Sequence, residues 1–263
     1  MTLDLLTTLR QQNPIVLTLA NDVTVQDVAN GLNALGASPI MSAEVDEAEA
    51  MVTIAGAVCL NLGTLTKLQL AQMRAVGAAA NRQHKPVILD PVAVGAVPYR
   101  LQAAQTLLRT VHADVIRGNA GEIAALAAWN WQAKGIDAGT GSGDLVAMAQ
   151  ACAQKYHCVV VLSGATDIVT DGQQVVRVHN GTELFQLHVG SGDLLSSLVA
   201  AFAAVQPQNL LAAAATAATV LAGTGELVAA QLTASRPGTF AMLLIDKLHL
   251  VTPAELSKIA VVD

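Results

Sequence analysis

Charge, aromatic rings and cysteine are all scarce in this chain of 263 residues. Charged residues make up 13% of it, the net charge is −6 and no basic cluster occurs. Nucleic-acid binding therefore has almost no electrostatic support, and an anionic ligand must be held by a few placed groups. Aromatics stand at 3% against 53% hydrophobic residues, so the core is built from Ala, Val and Leu, as suits closely packed helices on a Val/Ile-rich sheet. The three cysteines, Cys59, Cys152 and Cys158, form no CxxC pair; their odd number argues against a disulfide framework and for a reducing cytoplasm. The histidines show no metal-ligand spacing, and no Walker motif GxxxxGK[ST] occurs. The opening "MTLDLLTTLRQQNP" lacks the apolar core and basic flank of a signal peptide. The most apolar stretch, Leu210–Gly223, is too short to span a bilayer. With no linker rich in Pro, Ser or charge, the expectation is a soluble, cytoplasmic, single domain over residues 1–263 that engages neither nucleic acid nor membrane.

What is present is alternation. "PIVLTLAN", "SPIMS", "GAVCLNLG", "KPVILDPV", "ADVIRGN" and "CVVVLSG" read as short buried strands. Between most of them lie helical patterns, such as "VTVQDVANGLNALG", which Gly36 stops. A βαβα order predicts an α/β fold: an open, mostly parallel sheet with helices on both faces. "KPVILDPV" is too apolar for a wet face and belongs in the sheet centre. After Ser163, "DIVTDGQQVVRVHN" and "TELFQLHV" read as antiparallel strands, followed only by helices. Ligands in such sheets gather at the carboxyl ends of the strands, where this chain carries Asn21, Asn61, Asp90, Arg117 and Ser163.

The tetrapeptide GSGD occurs at Gly141–Asp144 and again at Gly190–Asp193. The first copy follows no strand, and Asp144 reads as a helix N-cap. The second follows a strand and opens a helix, so its fixed amides can face a transferring phosphoryl group, although capping by Asp193 explains the same residue types. Asp90 at a central strand end and Glu122 in a first helical turn could orient hydrated Mg²⁺, while Arg117 could clamp phosphates. Local alternatives are a strand-end turn for Asp90, a helix-dipole acid for Glu122 and a surface ion pair for Arg117. His188 is expected on the far face of its strand, Cys59 in the core, and Trp129 and Trp131 in packing or at the surface.

"VTVQDVANGLNALGASPIM", "LNLGTL", "PVILDPVAVGA", "VIRGNAGEIAAL" and "NGTELFQLHVGSGDLLSSLVAAF" together resemble the hydroxyethylthiazole kinases of the ribokinase-like superfamily, from about Pro14 to Asp246. The resemblance implies a three-layer fold and Mg²⁺-assisted transfer from ATP to the alcohol of 5-(2-hydroxyethyl)-4-methylthiazole. It puts Met41, Asn21, Val23 and Gly190 at the thiazole and Arg117 and Ser163 at ATP. Asp90 and Glu122 fall at the metal. It also implies a homotrimer with thiazole sites shared between subunits.

Three positions depart from the family pattern: Asp193 stands where cysteine is usual, Ala20 where threonine is, and Ala93 where glycine is. A carboxylate can accept a hydroxyl proton directly, so Asp193 is the expected base, with amides of Gly190, Ser191 and Gly192 as the anion hole. The competing readings are another ribokinase-like enzyme, acting on pyridoxal- or pyrimidine-type alcohols or as a dehydratase, and a non-catalytic nucleotide-binding regulator.

Overall fold

The computed structural model describes residues 3–131 and 144–263; Gly141 to Gly143 of the first GSGD lie outside them. The strands are β1 (Ile15–Leu19), β2 (Ser38–Met41), β3 (Ala57–Asn61), β4 (Val87–Asp90), β5 (Val115–Asn119), β6 (Val159–Ser163), β7 (Asp167–Thr170) and β8 (Val175–Val178). The helices are α1 (Leu5–Gln12), α2 (Val25–Leu35), α3 (Ala48–Ile54), α4 (Lys67–Arg82), α5 (Pro98–Leu107), α6 (Ala120–Ala127), α7 (Leu145–Tyr156), α8 (Ser191–Val205), α9 (Leu210–Ala229), α10 (Pro237–Leu250) and α11 (Pro253–Ile259).

The strands form one sheet in the order β2-β1-β3-β4-β5-β6-β7-β8. β1 to β6 are parallel, and β7 and β8 are added antiparallel. With helices on both sides of the sheet this is the three-layer α/β fold that the resemblance implies. Successive strand residues point to opposite faces: Val16, Cys59, Ile88 and Val115 pack under α1, α2, α8, α9 and α10. Their neighbours Leu17, Leu60, Leu89 and Ile116 pack under α3 to α7. Both faces are covered, which is why these strands are uniformly apolar. β4 is central, as "KPVILDPV" predicts. The chain leaves β1 toward β2 and then returns to β3 on the other side. The sheet thus switches direction between β1 and β3, where ligand crevices open.

Two expectations fail. "TELFQLHV" is not a strand: Glu183–Leu187 is a 3-10 turn, started by the Thr182 hydroxyl, which accepts from Leu184 N at 3.3 Å. No strand position is open to it, because the free edge of β8 is taken by Val261–Asp263: Arg177 N donates to Asp263 O at 2.7 Å, and Val178 bridges Val262. His188 therefore has no strand face to occupy; its ring packs edge-on to Phe240 at 6.5 Å between centroids. The second failure is length. The apolar run Leu210–Gly223 belongs to α9, a helix of 20 residues that is long and apolar enough to cross a bilayer. Here it is mostly buried inside the protein, packed against α8 and α10. Its alanines allow that close approach.

Candidate active site

Six elements bring polar groups to one sheet edge. Asn21 follows β1, Asn61 ends β3, Asp90 ends β4, Arg117 sits in β5, Ser163 ends β6, and α8 starts over them at Gly190. Gly190 caps α8 at φ +96°, and a Cβ there would lie 2.8 Å from Thr24 Cγ2. That backbone turn and that contact both require glycine.

Asp193 does not cap its helix; no side-chain cap bond is made at the start of α8. Its carboxylate reaches across to the β1–β3 switch. Oδ2 accepts from Asn21 Nδ2 at 2.7 Å and from Thr24 Oγ1 at 2.6 Å, and Oδ1 accepts from Asn61 Nδ2 at 2.9 Å. The Asn21 amide is itself locked: its Oδ1 accepts from Val23 N and Thr24 N, and its Nδ2 also meets Asn61 Oδ1. Asn21 is buried, so it faces the crevice through Asp193. Oδ1, with one donor, is the oxygen with room for another hydrogen bond. Asp144, by contrast, accepts from Val146 N and Ala147 N and is the N-cap of α7.

Behind Asp193 lies Asp90, fully buried. Its Oδ2 accepts from Ser196 Oγ at 2.7 Å and Asn61 Nδ2 at 3.1 Å, and Arg117 Nη1 stands 3.7 Å away. Burial above all pushes the Asp90 carboxyl above the ordinary carboxylate range; Arg117 opposes this, and Asp193 and Glu122 reinforce it. Arg117 is no surface ion pair. Its side chain is 13% exposed, and Nη2 donates to Ser163 Oγ at 2.6 Å. The guanidinium lies against the first turn of α8, where a Cβ on Gly192 would come 2.3 Å from Nη1. The amides of Gly192 and Asp193 meet no acceptor among the described residues, whereas Ser191 N is turned to His188 O at 3.3 Å. The nest of free amides is thus displaced toward Gly192 and Asp193.

Glu122 closes a capping box with Asn119 at the start of α6. Its Oε2 accepts from Asn119 N at 2.9 Å and Oε1 from Ala93 N at 2.8 Å, and burial raises its carboxyl. Asp90 Oδ1, buried, has no hydrogen-bond partner. Among the described residues no cluster of three or more His, Cys, Asp or Glu forms a metal cage. This donor set builds no protein cage; it fits a hydrated divalent cation carried in on phosphates and met through its water shell by Asp90, whose Oδ1 is buried but unpartnered.

Beside Arg117 opens a cavity of about 580 Å³ lined by Ser163, Ser191, Gly192, His179, Asn180 and Leu221 among others. Met41 ends β2, the sheet's edge strand, and is half-buried. Val23 is 69% and Val189 70% exposed, an apolar rim next to Asn21 and Gly190. Sequence reasoning gave no role to Thr24 or Ser196 and noted Asn61 only as a strand-end residue.

An α/β sheet of this order, with a helix-start amide nest beside a buried arginine, defines a ribokinase-like protein. A ribokinase-like superfamily protein from Enterococcus faecalis shares the fold at a TM-score of 0.66 and 15% identity, with 94% of each chain covered. Within that class the chain belongs to the hydroxyethylthiazole kinase family, whose model matches residues 6–254. It is 70% identical to the hydroxyethylthiazole kinase of Lactiplantibacillus plantarum over 263 residues, 100% of both chains. The hydroxyethylthiazole kinase structure from Pyrococcus horikoshii OT3 aligns at a TM-score of 0.89 and 30% identity, covering 99% of this chain and 97% of that one.

Proposed function

We propose that this chain, as a single domain of residues 1–263, transfers a phosphoryl group from ATP to the hydroxyl of 5-(2-hydroxyethyl)-4-methylthiazole, a step of thiamine biosynthesis or salvage. The observation that carries the mechanism is the Asp193 carboxylate. It is held by three donors at the β1–β3 switch while its own helix presents free amides and Arg117 next door. The alcohol approaches from the crevice beside Gly190, with Val23 and Met41 against the ring. Asp193 Oδ1 takes the hydroxyl proton as the oxygen closes on the γ-phosphorus in line. The Gly192 and Asp193 amides, with the Gly190–Ser191 turn that aims them, face the charge on the transferring group. Arg117, steadied by Ser163, holds the phosphates. Asp90 and Glu122 would hold hydrated Mg²⁺, which when bound neutralises phosphate charge. No covalent phosphoenzyme is needed.

We also infer a homotrimer whose thiazole sites are shared between chains, because Met41 ends the sheet's edge strand and is only half-buried against the core, while Val23 and Val189 are exposed. Three free, buried cysteines suit the cytoplasm. The test is ATP turnover with a panel of small heteroaromatic alcohols. The thiazole alcohol is expected to be the preferred acceptor, with activity abolished by EDTA and restored by Mg²⁺. Preference for a pyridoxal- or pyrimidine-type alcohol contradicts the reading.

A further inference from the structure

The cavity beside Arg117 extends away from the phosphate end toward the β8 exit, His179 to Thr182, and toward Ala218, Leu221 and Ala222 of α9. Two polar side chains on that wall are committed to the protein, while Gln186 and Glu183, also lining the cavity, are exposed. Asn180 donates both amide hydrogens, to Glu226 Oε2 and Ile259 O at 2.8 Å each, and accepts from Val261 N at 2.7 Å. His179 is held in the same way. Its Nε2 is 2.7 Å from Asp263 Oδ1, and its Nδ1 is 3.3 Å from Thr166 Oγ1. The backbone of His179 is clamped as well, its N–H donating to Val261 O at 2.9 Å. The side chain is nevertheless 39% exposed and lines the cavity. A ring with both nitrogens engaged by protein has only its π face left to offer a ligand.

We propose that His179 is the stacking platform for the nucleotide base, oriented by Asp263 and Thr166. This rests on the reading of the cavity as the nucleotide site. Stacking on this ring is tolerant because every base has a π face; any choice between adenine and guanine falls to edge groups such as Gln186. Asp263 and Thr166 are positioning residues. They hold the imidazole plane against rotation, so the stack forms without the cost of ordering a free side chain.

The test is equilibrium binding of ATP, GTP and inorganic triphosphate, each with Mg²⁺, to the full chain. His179→Ala is expected to weaken ATP and GTP by about ten-fold or more, the scale of one lost base stack, and to leave triphosphate unchanged. His179→Phe, which keeps a ring and loses the nitrogens, restores most of the affinity; Asp263→Asn and Thr166→Val give partial losses for the nucleotides only. Arg117→Ala separates this inference from the reading beneath it. If Arg117→Ala weakens all three ligands while His179→Ala weakens none, the platform is wrong and the nucleotide site stands. If neither variant affects ATP, the nucleotide site itself is wrong. Equal losses for His179→Phe and His179→Ala would mean that the imidazole acts only by anchoring Val261–Asp263, which also overturns the platform.

Discussion

Ala93, in the turn after β4, has φ +63°, a left-handed conformation that costs an L-residue about 1–2 kcal/mol. Its amide is fixed there by Glu122 Oε1. Ala93→Gly should therefore stabilise the fold by roughly 0.5 kcal/mol once glycine's extra unfolded-state entropy is subtracted. Urea unfolding checks this, and a lower midpoint would contradict it. Asp167 makes a pH prediction. Burial pushes its carboxyl from 3.8 up to about 6, against a bond from Gly164 N and attraction to Arg117. Between those two values the native state keeps a proton that the unfolded chain has released, so stability falls as pH rises through that window. Asp167→Asn keeps an acceptor for Gly164 without the charge. It should match wild type at about pH 4 and gain on it by about pH 6; a pH-independent difference in melting temperature would contradict this. The residues that sequence left without a role share one cause. An Asn at a strand end or a Thr before a helix reads locally as a turn or a cap. Thr24 and Asn61 acquire their function from Asp193, which is 169 and 132 positions away.

The start of α8 carries the site's tightest packing requirement. Because a Cβ on Gly192 would strike the guanidinium, Gly192→Ala should fold, displace Arg117 and raise the KM for ATP more than that for the thiazole. Arg117→Ala should give the same ranking; the reverse in either variant moves Arg117 out of the nucleotide site. The start of α7 is the internal contrast. Asp144→Ala should cost about 1 kcal/mol of stability through the lost cap and leave the KM values alone. The two GSGD copies are alike in residue type, and only their setting separates them: one aspartate turns back onto its own helix, while the other is drawn across to β1 and β3. The parallel strands were legible because burial on both faces leaves continuous apolar runs. The 3-10 turn at Glu183–Leu187 was not, because its alternating pattern fits a strand and only the occupied edge of β8 rules one out.

For the whole molecule, the sheet order puts Asp193, the proposed proton acceptor, at the β1–β3 switch and the arginine and cavity farther along the same edge. One crevice can therefore join alcohol and nucleotide. The proposed trimer belongs to this scale, and mixing two variants tests its shared site. Met41→Arg and Asp193→Asn, each inactive, are refolded together. If these residues serve one site from different chains, some interfaces carry neither lesion and activity returns in part; if each chain builds its own site, no mixture recovers. A fully active monomer in sedimentation would also contradict the trimer. The most direct measurement is the single-turnover rate of phosphoryl transfer by Asp193→Ala at saturating ATP and thiazole. The account predicts a fall of about two to four orders of magnitude, the scale of a lost general base, with ATP binding far less affected. A transfer rate near that of the wild type would leave Asp193 a structural anchor of α8 and contradict the account.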